Sequence, residues 1–185
     1  SIMGTVFVDN LEPQSGTSLT LGASGDTLQA ASGVTNKLSK VGQIVVVRKT
    51  NTFSTTSTSS FVDLTDVTLN ITPTASDSKI LIDFRAFGSN SGGTDIIVTR
   101  LLRDSTEVGS GSGGGVYDGF GIASVSGSYE LVNLSMNLMD EPSTTSQITY
   151  KIQCRVNAST GYIGRKGNAD HYRFPTSFMA TEILA

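Results

Sequence analysis

His171 is the single histidine of the chain and Asp170 precedes it, so catalysis through this pair is the first chemistry to weigh. Adjacent residues on a strand point to opposite faces. A Ser-His-Asp site of the hydrolase type also needs its serine on a strained G-x-S-x-G elbow, and that motif does not occur. One histidine and one cysteine, Cys154, fall short of the common zinc ligand sets. Gly109, Gly111 and Gly114 have the spacing G-x-G-x-x-G, but the sequel VYDGFGIASV reads as a strand where a dinucleotide site needs a helix. That tract is read as a loop tip. Cys154 shares the apolar parity of ITYKIQCRV and is expected to be a small core residue. Asp77, Asp95, Asp118 and the pair Asp140–Glu141 could help bind calcium, yet none lies in an alternating-acid loop. The N-x-S/T triplets at Asn70, Asn133 and Asn157 are expected by chance in a chain about a quarter Ser and Thr. No catalytic residue, cofactor or metal is expected.

One segment is unlike the rest. GYIGRKGNADHYRFP (161–175) gathers Tyr162, Arg165, Lys166, Asn168, Asp170, His171, Tyr172 and Arg173 in a glycine-containing loop. Aromatic faces mixed with amide, carboxylate and guanidinium groups suit contacts with glycans, and the same residue types dominate protein–protein contacts. An ordinary long loop, or one packed on a neighbouring subunit, would look the same.

The elements that must position this segment are strands. QIVVVRK (43–49) is the first, followed by the polar loop TNTFSTTSTS. In 61–72, which stops at Pro73, Val67, Leu69 and Ile71 share one face. In 78–88 the inward set is Ile80, Ile82, Phe84 and Ala86. Segment 94–104 follows the Gly92–Gly93 turn, and 128–140 puts Leu134, Met136 and Leu138 inward. The clearest alternation is 148–156, with Ile148, Tyr150, Ile152, Cys154 and Val156 on one face and Thr149, Lys151, Gln153 and Arg155 on the other. The chain closes with a strand-like run over 176–185. Eight or nine short strands without interleaved helices predict an all-β fold: an antiparallel β-sandwich, jelly-roll-like, over residues 41–185.

Residues 1–40 differ in kind. They hold one aromatic residue, Phe7, and short Gly/Ser/Thr-rich pieces whose apolar anchors are Leu19, Leu21 and Leu28. Such a segment cannot bury enough apolar surface alone, so it is expected to be an extended arm that pairs between copies or docks on a larger assembly.

Composition narrows the classes further. Only 16% of the 185 residues are charged and the net charge is −3. With no Lys/Arg run beyond two, phosphate-driven binding of nucleic acid is not expected. No apolar stretch approaches a bilayer span. The start, SIMGTVFVDN, lacks the basic and apolar regions of a signal peptide. Ser1 fits removal of an initiator methionine, so the expectation is a whole gene product made in a cytoplasm.

Several phrases taken in order resemble fibre-like virion proteins of tailed bacteriophages, especially phages of aquatic bacteria. They are SGTSLTLGASGDTL, FSTTSTSSFVDLTDVTLNITPTASDSKILI, TRLLRDSTEVGSG, MDEPSTTSQITYKIQCRV and FMATEILA. The resemblance implies a homotrimeric protein at the virion surface, made in the host bacterium. Its N-terminal segment would attach to other virion proteins or intertwine as a stalk, with a β-sandwich head pointing outward. The family carries no catalytic residues to transfer. The chain is short for a reaching tail fibre, which favours a short fibre, a capsid-bound fibre or a decoration protein. Two other classes stay open: a lectin-like module reading a host glycan, and a depolymerase, which would need paired carboxylates across a groove.

Overall fold

The computed structural model describes residues 40–111, 115, 117–167 and 172–184. The arm, with Leu19, Leu21 and Leu28, therefore lies outside the described residues, as do Asn168, Asp170 and His171. Eleven strands and no helix make up the described chain. They are β1 (Val41–Lys49), β2 (Phe53–Thr55), β3 (Val62–Ile71), β4 (Lys79–Asn90), β5 (Ile96–Arg103), β6 (Thr106–Val108), β7 (Gly121–Ser124), β8 (Val132–Asp140), β9 (Ile148–Val156), β10 (Gly161–Ile163) and β11 (Thr176–Ile183).

All pairings are antiparallel. One sheet runs β1-β11-β4-β8, and β10 continues the β11 side of β4 and carries β2 beyond it. The other runs β3-β9-β5, with β6 and β7 sharing the far edge of β5. With β6 and β7 counted as one broken strand, the order 1-11-4-8 facing 3-9-5-7 is that of an eight-stranded jelly roll. The predicted sandwich is thus present, and pairing supplies the strand order that no local pattern could. Part of the glycine tract, residues 112–114, lies outside the described residues. β6 pairs Arg103 to Leu101, and β7 resumes the same edge at Thr99. β6 and β7 are therefore two pieces of one edge, separated in the chain by residues 109–120.

The inward faces follow the period-2 reading. Ile148, Tyr150, Ile152, Cys154 and Val156 are all buried, opposed by Ile80, Ile82 and Phe84 of β4 and by Phe178 of β11. Phe84 and Phe178 meet edge to face at 6.2 Å, the favoured aromatic geometry. β3 departs from simple alternation. Leu64 and Val67 are both buried, the register slips between Asp63 and Thr68, and Asp66 takes a positive φ of 61°. This β-bulge aims the Asp66 carboxylate at Lys49, 3.3 Å away, whose side chain is otherwise enclosed.

The two ends of the sandwich are chemically distinct. At one end lie the turns 72–78, 104–105 and 141–147 together with both ends of the described chain, where the Leu184 amide donates to the Lys40 carbonyl at 2.8 Å. Two enclosed carboxylates anchor that end. Asp140 receives the Arg103 guanidinium at 2.9 and 3.0 Å and the Tyr150 hydroxyl at 2.5 Å. Glu182, fully buried, receives the Thr74 amide at 2.6 Å, the Thr74 hydroxyl at 2.8 Å and the Gln43 amide at 2.8 Å. At the opposite end, connections 50–61, 91–95, 125–131 and 157–175 come together.

Candidate functional site

The segment 161–175 leaves β9 at the end where four connections meet, and backbone bonds lace these connections together. The Ser91 amide donates to the Thr160 carbonyl (2.9 Å), the Val125 amide to that of Asp95 (3.0 Å), the Tyr129 amide to that of Asn90 (2.7 Å) and the Val156 amide to that of Ser57 (2.9 Å). Asn90, fully buried, adds a bond from its side-chain amide to the Ala158 carbonyl at 3.2 Å. Satisfying each buried polar group in this way holds loops that have little core of their own.

Tyr162 lies on a strand rather than in a loop. β10 is wedged between β4 and β2, and Gly161 allows it: a Cβ there would stand 2.5 Å from Val156 Cγ1. Ile163 turns into the core, so alternation turns Tyr162 out. Gly164, at φ +78°, then bends the chain into a hairpin. The Phe174 amide bonds the Gly164 carbonyl (2.8 Å) and the Lys166 amide bonds the Tyr172 carbonyl (3.1 Å). Phe174 rests against Phe87 at 4.8 Å between ring centroids. Ser89 pins the hairpin from below. Its hydroxyl donates to the Arg165 carbonyl and accepts from the Gly167 amide, both at 3.1 Å.

This support carries two sets of aromatic and cationic groups. The Tyr129 and Tyr162 rings lie 6.4 Å apart with a 36° tilt. The Arg165 guanidinium covers the Tyr162 ring at 4.7 Å, and the Lys166 ammonium stands 5.7 Å from the centre of the Tyr172 ring. Each distance is within cation–π range. Gly167 lies hard against the tyrosines, since a Cβ there would come within 2.3 Å of Tyr162 and 2.7 Å of Tyr129. Tyr172 is half exposed. The structure thus pairs Tyr162 with Arg165 and, separately, Lys166 with Tyr172. It adds three residues that the sequence reading missed: Tyr129, Ser89 and Gly167. No local signal in the sequence joins Tyr129 or Ser89 to Tyr162, because strand pairing alone makes them neighbours.

What this surface can do is stack and pair. Flat ring faces beside fixed cations suit the apolar face of a sugar or a carboxylate-bearing group. Among the described residues no group of three or more His, Cys, Asp or Glu could hold a metal ion. Cys154 is enclosed, and burial pushes its thiol up to about 12, so it stays protonated at neutral pH. The carboxylates of Asp140 and Glu182 are at the far end and engaged in holding turns.

No family model and no curated relative matches the chain. Among solved structures it is similar to that of infectious bursal disease virus, Gt strain (TM-score 0.41, 13% identity over 87% of this chain and 43% of that one). It is also similar to the VP2 subviral particle of infectious bursal disease virus (TM-score 0.39, 15% identity over 77% of this chain and 38% of that one). This chain thus spans about two fifths of the length of those chains. A likeness this loose does not bear on function.

Proposed function

We propose that the chain is a non-enzymatic structural protein of a tailed-phage virion. In this reading it is a short homotrimeric fibre or surface-decoration protein, anchored through residues 1–40, with the jelly-roll head outward. The observation that carries it is the polarity of the sandwich. The described chain starts at Lys40, at the end held by Glu182 and Asp140. The laced loops with Tyr162 and Arg165 occupy the other end. A protein that is held at one end and presents the other needs this arrangement. The ordered phrases resembling phage fibre proteins point the same way.

The test is made on the full chain. Light scattering is expected to give a mass near 58 kDa, three times 19.4 kDa. Leu19→Asp with Leu21→Asp and Leu28→Asp is expected to abolish incorporation into particles. A monomeric full chain, or unchanged incorporation of the triple variant, would overturn the reading.

The Tyr129–Tyr162–Arg165 stack favours a second role for the same head: contact with a host-surface glycan. Tyr162→Ala with Arg165→Ala is expected to reduce attachment to host cells at unchanged particle incorporation. Equal attachment would remove the loops from that role.

A further inference from the structure

The outer face of the β1-β11-β4-β8 sheet divides into an apolar half and a charged half. Strand register aligns its outward residues in rows. Ile44, Thr181, Leu81 and Met139 form one row, and Val46, Met179, Asp83 and Asn137 the next. A third holds Arg48, Ser177, Arg85 and Ser135. Ile44 is 58% exposed, Val46 56% and Met139 45%, with Leu81 and Met179 partly open between them. Large apolar side chains clustered over neighbouring strands are not the scattered exposure that any soluble surface shows.

We infer that this apolar half-face is where a second copy of the chain packs. The inference rests on the assembly reading above and specifies its contact surface. Three observations select a second copy as the occupant. The 39 residues that precede Lys40 lead straight into β1, whose Ile44 lies four positions further on. Copies held through those segments bring their β1 strands together at high effective concentration. On and beside these rows, Lys79 is paired with Glu141 at 2.6 Å and Asp83 with Arg85 at 2.8 and 3.1 Å, both within the one chain. An identical surface can therefore approach without burying an unpaired charge. β1 is also the outermost strand of its sheet among the described residues, and an edge bearing exposed Ile and Val invites pairing unless it is covered.

The test uses the full chain and follows its mass by light scattering through a dilution series. Ile44→Glu with Val46→Glu is expected to raise the concentration at which the oligomer dissociates by at least roughly 30-fold, the effect of losing one interface hot spot. Met139→Gln, on the opposite edge strand, should shift it in the same direction and guards against misfolding of the β1 variant. Ser135→Asp, on the charged half, should leave it in place. An oligomer whose dissociation is unmoved by both the β1 and Met139 variants would overturn this contact while leaving the assembly reading intact. A wild-type chain that is monomeric throughout would overturn both.

Discussion

Glu182 is the residue whose removal best tests how the end that carries Lys40 and Leu184 is built. It follows Phe178 and Ala180 on the inward parity of β11 and is fully buried, yet it is an acid. Its carboxylate receives three donors, two from Thr74 and one from Gln43. The same Gln43 amide reaches the Thr72 carbonyl at 2.7 Å. One side chain thus joins β11, the 72–78 turn and the irregular start of β1. Gly42 makes room for it, since a Cβ there would lie 2.7 Å from Glu182 Oε2. Hydrogen bonds to a charged group contribute about 1.5–3 kcal/mol each. The three share one carboxylate, however, and Thr74 is exposed, so water recovers part of the loss. Glu182→Leu is therefore expected to cost roughly 2–4 kcal/mol. At about 2–4 °C per kcal/mol for a domain of this size, the melting temperature falls by roughly 5–15 °C. Glu182→Gln keeps the shape but sets amide against amide at Gln43, and about 1 kcal/mol is expected. The pH dependence has a definite sign. Burial works to raise the Glu182 pKa, and the Gln43 and Thr74 donors outweigh it, leaving the carboxyl below its ordinary value. The unfolded chain then takes up this proton first as the pH falls. The stabilisation is complete above the unfolded value of about 4.3 and is lost as the pH falls through the folded one. Urea unfolding of wild type and Glu182→Gln at pH 7 and across the acid limb checks this, because the other acids cancel in the difference. A gap that stays constant down to pH 3, or a Leu variant as stable as wild type, would refute the reasoning.

Other expectations follow from the same geometry. Tyr150→Phe removes the enclosed hydroxyl bond to Asp140 and should cost about 1–2 kcal/mol in urea unfolding. Arg103→Ala, which leaves Asp140 without its cation, should cost more, about 2–4 kcal/mol. The reverse order would mean that the guanidinium is not the main partner. Cys154 should resist iodoacetamide at pH 8 in the folded protein and react in guanidinium chloride, as read by mass spectrometry; rapid labelling of the native chain would contradict its burial. Gly167→Ala should lower the melting temperature only slightly, since the rings it strikes lie at the surface. It should abolish the Tyr129–Tyr162 contact in a nuclear Overhauser spectrum, and an unchanged contact would show that the glycine is not needed there.

Local alternation along the chain already specifies the class of fold and the inward face of most strands. Period-2 alternation in 78–88 and 148–156 is a property of the extended backbone, so Ile82, Phe84, Tyr150 and Cys154 were legible as core without knowing their neighbours. It also marked 161–175 as chemically distinct, from composition alone. Which strands are adjacent emerges on folding alone, and every feature of the site depends on that. Tyr162 meets Tyr129 and Ser89 because β10 pairs with the end of β4, a contact between residues far apart in the chain that no local propensity encodes. The bulge at Asp66 is likewise a matter of cross-strand register. Glu182 shows the division most clearly. Its parity places it inward, a position that an unpaired acid could not hold; the donors of Gln43 and Thr74, brought close only by folding, make that burial possible.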